Sequence, residues 1–300
     1  MGKGNDLAKA FCITNGKQFR LKDYDPSDTH GLKSKEKAQE ALAQGIARLR
    51  EDQEKLYAQD RWAVLLIFQA MDAAGKDSTI EHVMSGVNPQ GCQVYSFKVP
   101  SSEELDHDFM WRTTRCLPER GRIGIFNRSY YEEVLVVRIH TDILAKQRLP
   151  ENLVTKDIWK ERYEDITDFE RYLSRNGTVI RKFFLHVSRN EQKRRFLSRL
   201  TEPEKNWKFA LQDVREREHW DAYMRAYEDM IRSTSAEYAP WYVIPADHKW
   251  FTRLAVAEVI ADTLEGLNLF YPRVDAEKKK ELEIARTLLK DEANSGKKAM

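Results

Sequence analysis

WAVLLIFQAMDAAGKDST, residues Trp62 to Thr79, sets the frame for the whole chain. Its first seven residues, Trp62 to Phe68, are continuously apolar. Such a run fits a strand buried on both faces, as in a parallel sheet covered by helices. A turn of small residues follows at once, Asp72-Ala73-Ala74-Gly75-Lys76. Asp77-Ser78-Thr79 then suit a helix start, and Ile80, Val83 and Met84 continue at helical spacing. Strand, small turn, lysine and helix make a phosphate-binding loop. N–H groups at a helix N-terminus point at the anion, the helix dipole favours negative charge, and the lysine adds a point charge. The candidates for phosphate contact are therefore Ala73, Ala74, Gly75, Lys76, Asp77 and Ser78.

The loop departs from the usual glycine-rich pattern. Ala70 stands where the first glycine would be, and Asp77 follows the lysine in place of Ser or Thr. A structural turn with a surface lysine would share these features. Asp72 argues against that reading. A carboxylate among N–H groups meant for phosphate repels the ligand unless a cation lies between them, so Asp72 is the candidate Mg²⁺ ligand, with Mn²⁺ as an alternative ion.

Composition narrows the function classes. The chain has 300 residues, 41% of them apolar, and 50 basic residues balance 48 acidic ones. Balanced charge gives no global pull toward nucleic acid or a membrane, so any anion site is a local cluster. Cys12, Cys92 and Cys116 lack metal-site spacing and are odd in number, which favours reduced thiols and a cytoplasmic setting. No apolar run reaches the roughly 20 residues of a membrane span. The N-terminus shows no secretory segment.

Outward from the loop, residues 1–60 read as an irregular arm to about Leu32 and then a packing helix from a cap at Ser34. Residues 61–272 read as the domain built around the phosphate loop, and 273–300 as a charged tail. Beyond the loop helix, the turn Gly86 to Gly91 contains Asn88, a further phosphate or nucleotide candidate. A strand Cys92 to Val99 follows, then a helix from about Ser102 to Leu117. A third strand, Arg122 to Phe126, ends in Asn127-Arg128, where a phosphate-loop fold presents polar groups to the metal and phosphates. Glu132 and Glu133 lie close behind, Glu133 as a binding candidate.

An amphipathic helix, Thr155 to Arg175, leads to a fourth strand, Thr178 to Val187. Ser188 with Glu191 then makes a capping box. The helix that follows carries Arg195 and Arg199 one turn apart on one face. With the loop beyond it, this segment, about 189–210, reads either as a lid whose arginines bind phosphate bidentately or as a solvated basic helix face. A helix from Leu211 to about Ser235 precedes a fifth strand, Trp241 to Ala246, and a closing helix, Lys249 to Leu264. Five strands alternating with helices make one parallel sheet, with the ligand at the carboxyl ends of its strands.

Asp72-Ala-Ala-Gly-Lys76, Gly86-Val-Asn-Pro-Gln-Gly91, Phe126-Asn-Arg-Ser-Tyr-Tyr-Glu-Glu133 and Glu191-Gln-Lys-Arg-Arg-Phe196 together resemble polyphosphate kinase family 2, from about Asp23 to Leu269. The resemblance implies a three-layer α/β phosphate-loop kinase fold, thymidylate-kinase-like, with a helical lid. It implies Mg²⁺-dependent, reversible phosphoryl transfer between inorganic polyphosphate and AMP or ADP, giving ADP or ATP. Asp72 would hold Mg²⁺, Lys76 and Arg128 would bind the reacting phosphates, and Arg195 and Arg199 would be lid arginines. Many members carry Asp where this chain has Asn127, which puts metal binding by Asn127 in doubt. The Asn-Arg-Ser-Tyr-Tyr-Glu-Glu form is similar to the class III branch, whose members phosphorylate both AMP and ADP. A homodimer or homotetramer is implied as well.

An ATP-dependent nucleoside or nucleotide kinase of the same fold is the competing reading, and a non-catalytic polyphosphate-binding module a more distant one. A polyphosphate donor needs a basic track, for which Lys98, Arg112, Arg115, Arg120 and Arg122 are the candidates.

Overall fold

The computed structural model describes residues 4–297 and divides into two units, the first ending at Leu269 and the second beginning at Phe270. The first opens with α1 (Gly4–Ala10) and a two-residue strand, β1 (Cys12–Ile13). Next come α2 (Lys35–Gln59), β2 (Ala63–Gln69), α3 (Lys76–Val83) and β3 (Cys92–Ser96). Two short helices, α4 (Ser102–Leu105) and α5 (Trp111–Thr114), lead to β4 (Ile123–Asn127). Then follow α6 (Val136–Ile139), α7 (Thr141–Lys146), α8 (Ile158–Arg175), β5 (Thr178–His186) and α9 (Arg189–Thr201). The unit closes with α10 (Leu211–Arg215), α11 (Trp220–Thr234), β6 (Trp241–Pro245) and α12 (Lys249–Glu265). The second unit contains α13 (Ala276–Lys297), whose first turn is capped by Asp275 Oδ1 accepting from Lys278 N at 2.7 Å. The tail read from the charged sequence is thus helical, and its last residues, 298–300, lie outside the described residues.

One sheet holds all six strands in the order β1-β6-β5-β2-β4-β3. The five longer strands run parallel, in the positions read from the apolar runs. Val64 to Ile67 are completely buried because β2 is central, with β4 and β5 on its two sides. From β2 the chain passes through α3 toward β3, and from β4 it crosses to β5 in the opposite direction. Right-handed crossovers in opposite directions lie on opposite faces, which gives three layers. Accordingly α12 packs with α2 and α3, while α8 packs with β5 and α11.

Four local expectations are corrected. The N-terminal arm is irregular only in part: α1 precedes a pairing of Cys12 and Ile13 antiparallel with Tyr242 and Trp241 that covers the edge of β6, and most of residues 14–34 is turn and coil. Two residues are too few to leave a periodic signal. The helix expected from Ser102 to Leu117 is broken, because Asp108 Oδ1 accepts from Met110 N at 2.9 Å and starts a new turn. Its first piece is capped by Ser101, in a full capping box with Glu104. The helix expected from Leu211 is likewise interrupted by a tight turn, Glu216–His219. At Ser188 only half of the expected capping box forms. Ser188 Oγ accepts from Glu191 N at 3.1 Å, but Ser188 N donates to Asp247 Oδ1, and the Glu191 carboxylate turns to Arg194 and Arg195.

Candidate active site at the phosphate loop

β2 ends at Gln69, and the next six residues bend into α3. Two of them take left-handed backbone conformations, Ala73 at φ +60° and Gly75 at φ +101°. Glycine accepts this freely; for Ala73 it is a strained choice that its surroundings must hold. The first N–H groups of α3 have no partner within the helix and face the loop. Lys76 curls back, with Nζ donating to Ala70 O at 2.9 Å. It is buried, and desolvation, helped by Arg128, pulls its pKa below the ordinary lysine value against the pull of Asp72, Glu132 and Asp77.

β4, paired with β2, ends at the same level: Phe68 is the partner of Asn127. Arg128 follows at φ +64° and swings back over the loop. Its guanidinium donates to Asp72 Oδ1 at 2.8 Å and lies 3.6 Å from Glu132. Glu132, then Asp72, raise the Arg128 pKa above its usual value. Glu132 is pushed above the usual carboxylate range by burial, only partly offset by Arg128 and Lys76. With its amide turned so that both ends are satisfied, Gln69 donates to Glu132 Oε1 at 2.8 Å. Asn127 Nδ2 donates to Asp77 Oδ1 at 2.6 Å. The chain thus sets an amide on the helix-start carboxylate where a metal-facing acid was the alternative.

A cleft of about 500 Å³ opens in front of Asp72 and Arg128, walled by Glu132, Lys146, Asp213 and Tyr223. A neighbouring apolar recess, lined by Phe97, Pro100, Leu105 and Phe109, shares Arg128 and Glu132 with it. Arg199 lies on the lid side, 3.6 Å from Asp213.

Of the residues singled out in the sequence, Asp72, Ala73, Ala74, Gly75, Lys76, Asp77, Ser78, Asn127 and Arg128 meet at the loop. Ser78 Oγ caps locally on Gly75 O at 3.2 Å. Three do not take the expected places. Asn88 sits in the turn before β3, at the amino end of the strands and so at the opposite end of the sheet from the loop, where its side chain accepts from Gln90 N. Glu133 lines the apolar recess but turns from Arg128 into a pair with Arg162 at 3.1 Å and Gln147 at 2.7 Å. A tight helical turn rotates successive side chains by about a third of a circle, so Glu132 faces Arg128 and Glu133 does not. Arg195 is buried and every donor is used. Nε pairs with Glu191, NH1 donates to Ala73 O and Ala74 O, and NH2 donates to Ala246 O and Asp247 O. It therefore clamps the loop from behind and has no hydrogen left for a phosphate.

The basic track is also partly corrected. Arg120 donates to Arg61 O and Arg122 lies over Tyr57, both before β4 and far from the loop. Arg115 lies over the Trp111 ring. Only Lys98 and Arg112 border the recess beside Arg128. Gln69, Gln192 and Asp213 were not singled out in the sequence. Gln69 carried a signal, a polar residue ending an apolar strand; the others had none beyond the family motif around Gln192.

Among the described residues no group of three His, Cys, Asp or Glu is arranged to hold a metal by itself. The donor set nevertheless fits a hard cation that keeps water and phosphate ligands, which needs only one or two carboxylates. Asp72 supplies one, and Glu132 lies across Arg128 from it. No described helix is long and apolar enough to cross a membrane, and the three cysteines are free thiols.

Comparison with known proteins agrees with this geometry. The family model for polyphosphate kinase 2 matches residues 32–269. An ADP-polyphosphate phosphotransferase from Rhodopseudomonas palustris is 54% identical, over 94% of this chain and 98% of its own. An AMP/ADP-polyphosphate phosphotransferase from Meiothermus ruber is 46% identical, over 91% and 98%. The crystal structure of polyphosphate kinase 2 from Arthrobacter aurescens superposes with a TM-score of 0.84 at 39% identity, covering 93% of this chain and 96% of that one. A phosphate loop carrying its own carboxylate, an arginine set against it and this likeness along nearly the whole length lead to one assignment: the chain belongs to the polyphosphate kinase 2 family.

Proposed function

We propose that this chain transfers the terminal phosphoryl group of inorganic polyphosphate to AMP or ADP, in a reversible, Mg²⁺-dependent reaction. The observation that carries the reading is the Asp72–Arg128 pair in front of the Lys76 loop. An acid and two cations converge there on one anion site, and the family supplies the substrates.

A terminal oxygen of the nucleotide phosphate attacks the terminal phosphorus of the polymer. The bond from that phosphorus to its bridging oxygen breaks, and the shortened polymer leaves with the electron pair. The attacking phosphate is already ionised near neutral pH, so no strong general base is needed. Catalysis is then positioning and charge neutralisation. Lys76 and the N–H groups of α3 hold the transferred group, and Arg128 spans the cleft and the apolar recess. A base in that recess would put its phosphates beside Arg128. Asp72 would hold Mg²⁺, which when bound neutralises charge on the phosphate oxygens. Arg199, 3.6 Å from Asp213 of the cleft wall, would be the lid arginine.

The test is turnover with long-chain polyphosphate and Mg²⁺, with AMP and ADP supplied separately and the products resolved over time. AMP passing through ADP to ATP supports the full reading. Conversion of ADP alone keeps the family reaction and removes the AMP step. No reaction with polyphosphate, but phosphorylation of a nucleotide by ATP, overturns the reading. Lys76→Ala and Asp72→Ala are each expected to lose about 100-fold or more in kcat, the scale of losing one charge-stabilising group. Near-normal turnover in either variant removes its assigned role.

A further inference from the structure

Three successive carbonyls of the phosphate loop turn toward α9. Asp72 O accepts from Gln192 Nε2 at 2.9 Å, and Ala73 O and Ala74 O accept from Arg195 NH1 at 3.1 and 2.6 Å. Carbonyls held outward leave the alternating N–H groups for the anion. The left-handed Ala73 lies inside this clamp, which is what keeps an unfavourable conformation in place.

Gln192 has an attachment that Arg195 lacks, to Arg217 of the turn Glu216–His219. Its side chain is 1% exposed, and its Oε1 accepts from Arg217 NH1 at 2.5 Å. Arg217 also donates to Arg189 O. It belongs to the turn Glu216–His219, whose Glu216 walls the cleft and accepts from Tyr223 Oη at 3.1 Å and pairs with His140 Nε2 at 2.8 Å. One amide therefore joins the main chain of Asp72 to the segment that forms the far wall of the cleft. The amide supplies both the donor and the acceptor needed here; an ionised Glu can only accept, and Lys can only donate.

We propose that Gln192 is a positioning residue for phosphoryl transfer, setting Asp72 through its carbonyl and tying that setting to Arg217. The inference rests on the phosphoryl-transfer reading above. Gln192→Glu keeps the size and the acceptor toward Arg217 but loses the donor toward Asp72. Gln192→Leu loses both, and Arg217→Met removes the partner on the far wall.

The wild-type enzyme is assayed first with polyphosphate, Mg²⁺ and nucleotide; if it is inactive, the reaction reading fails, not this one. With an active wild type, Gln192→Glu is expected to lower kcat on the order of tenfold or more, with the nucleotide KM changed by less than about threefold, since displacement of a reacting group costs rate before affinity. Thermal melting and the folded fraction are measured on the same samples, so that kcat is counted per folded molecule. Arg217→Met is expected to cost less, and in a Gln192→Leu background to cost almost nothing more. The proposal is overturned if both Gln192 variants keep kcat per folded molecule within about twofold of wild type, or if the Gln192→Leu and Arg217→Met losses multiply as independent effects.

Discussion

His186 shows how burial alone sets a charge state. It ends β5, is 8% exposed, and its Nδ1 has no hydrogen-bond partner. Burial pushes its pKa down from 6.5 to about 4, against the weaker upward pull of Asp247, the Tyr24 backbone and Asp25. The sign follows directly. Between these two values the unfolded chain binds a proton that the folded chain refuses, so stability falls as pH drops from 6.5 toward 4 and levels off below it. The contribution is about 3 kcal/mol over that window. Thermal melting across pH 4 to 7 should therefore be steeper for wild type than for His186→Gln. Equal slopes would remove His186 as the cause. At the same scale, most of the loop was readable in advance, because Asp72, Lys76 and Arg128 are charges at positions where a turn leaves them no apolar role. The fate of Arg195 was not readable. Nothing in the pattern of a basic helix tells an arginine that reaches a ligand from one that saturates itself on carbonyls.

At the scale of elements, the segment behind Arg128 hangs on a buried ion pair between α8 and β5. Lys182 and Glu170 are completely buried, 2.5 Å apart. Both Tyr130 and Tyr131 donate their hydroxyls to Glu170 Oε1, at 2.9 and 2.8 Å, and Lys182 Nζ donates to Thr234 O at 2.8 Å. Desolvation holds the Lys182 pKa below its ordinary value. Removing one partner strands the other charge, so Lys182→Met should cost roughly 3–5 kcal/mol. Adding Glu170→Gln should return part of that loss, because the stranded charge is gone. Urea unfolding of the two single variants and the double variant tests this; costs that simply add would show that the pair is not coupled. Lys182 also marks a limit of reading from sequence. The run Thr178 to Val187 is apolar enough to identify the strand, yet Arg181 and Lys182 look like ordinary polar interruptions until Glu170, from another element, is brought beside them. The broken helix after Ser101 has the same origin. Its apolar spacing continues through Phe109 and Trp111, while the choice at Asp108 between helix and turn depends on one side chain and one N–H.

At the scale of the molecule, the parallel sheet was legible because five apolar-rich stretches, the central β2 among them continuously apolar, alternate with helices, a pattern few other topologies share. The sixth strand was not, since a two-residue pairing rests on where the arm lands rather than on its own composition. The division at Leu269 has a testable consequence. Every buried apolar residue of the described core lies at or before Leu264, and Leu267 and Leu269 complete its margin. All the loop, cleft and clamp residues also lie within that unit. Among the residues whose burial is described, none from Phe270 onward adds to the buried core, so a chain ending at Leu269 should fold unaided. Its melting temperature should stay within about 3 °C of the full chain, a change worth at most about 1 kcal/mol for a domain of this size. Turnover per folded molecule should stay within about twofold, because no reacting group has moved. The measurement is melting and polyphosphate-dependent turnover of the two chains side by side. A shortened chain that melts cooperatively but has lost turnover would mean that the second unit acts on the site. One that fails to melt cooperatively would show that the core ending at Leu269 is incomplete.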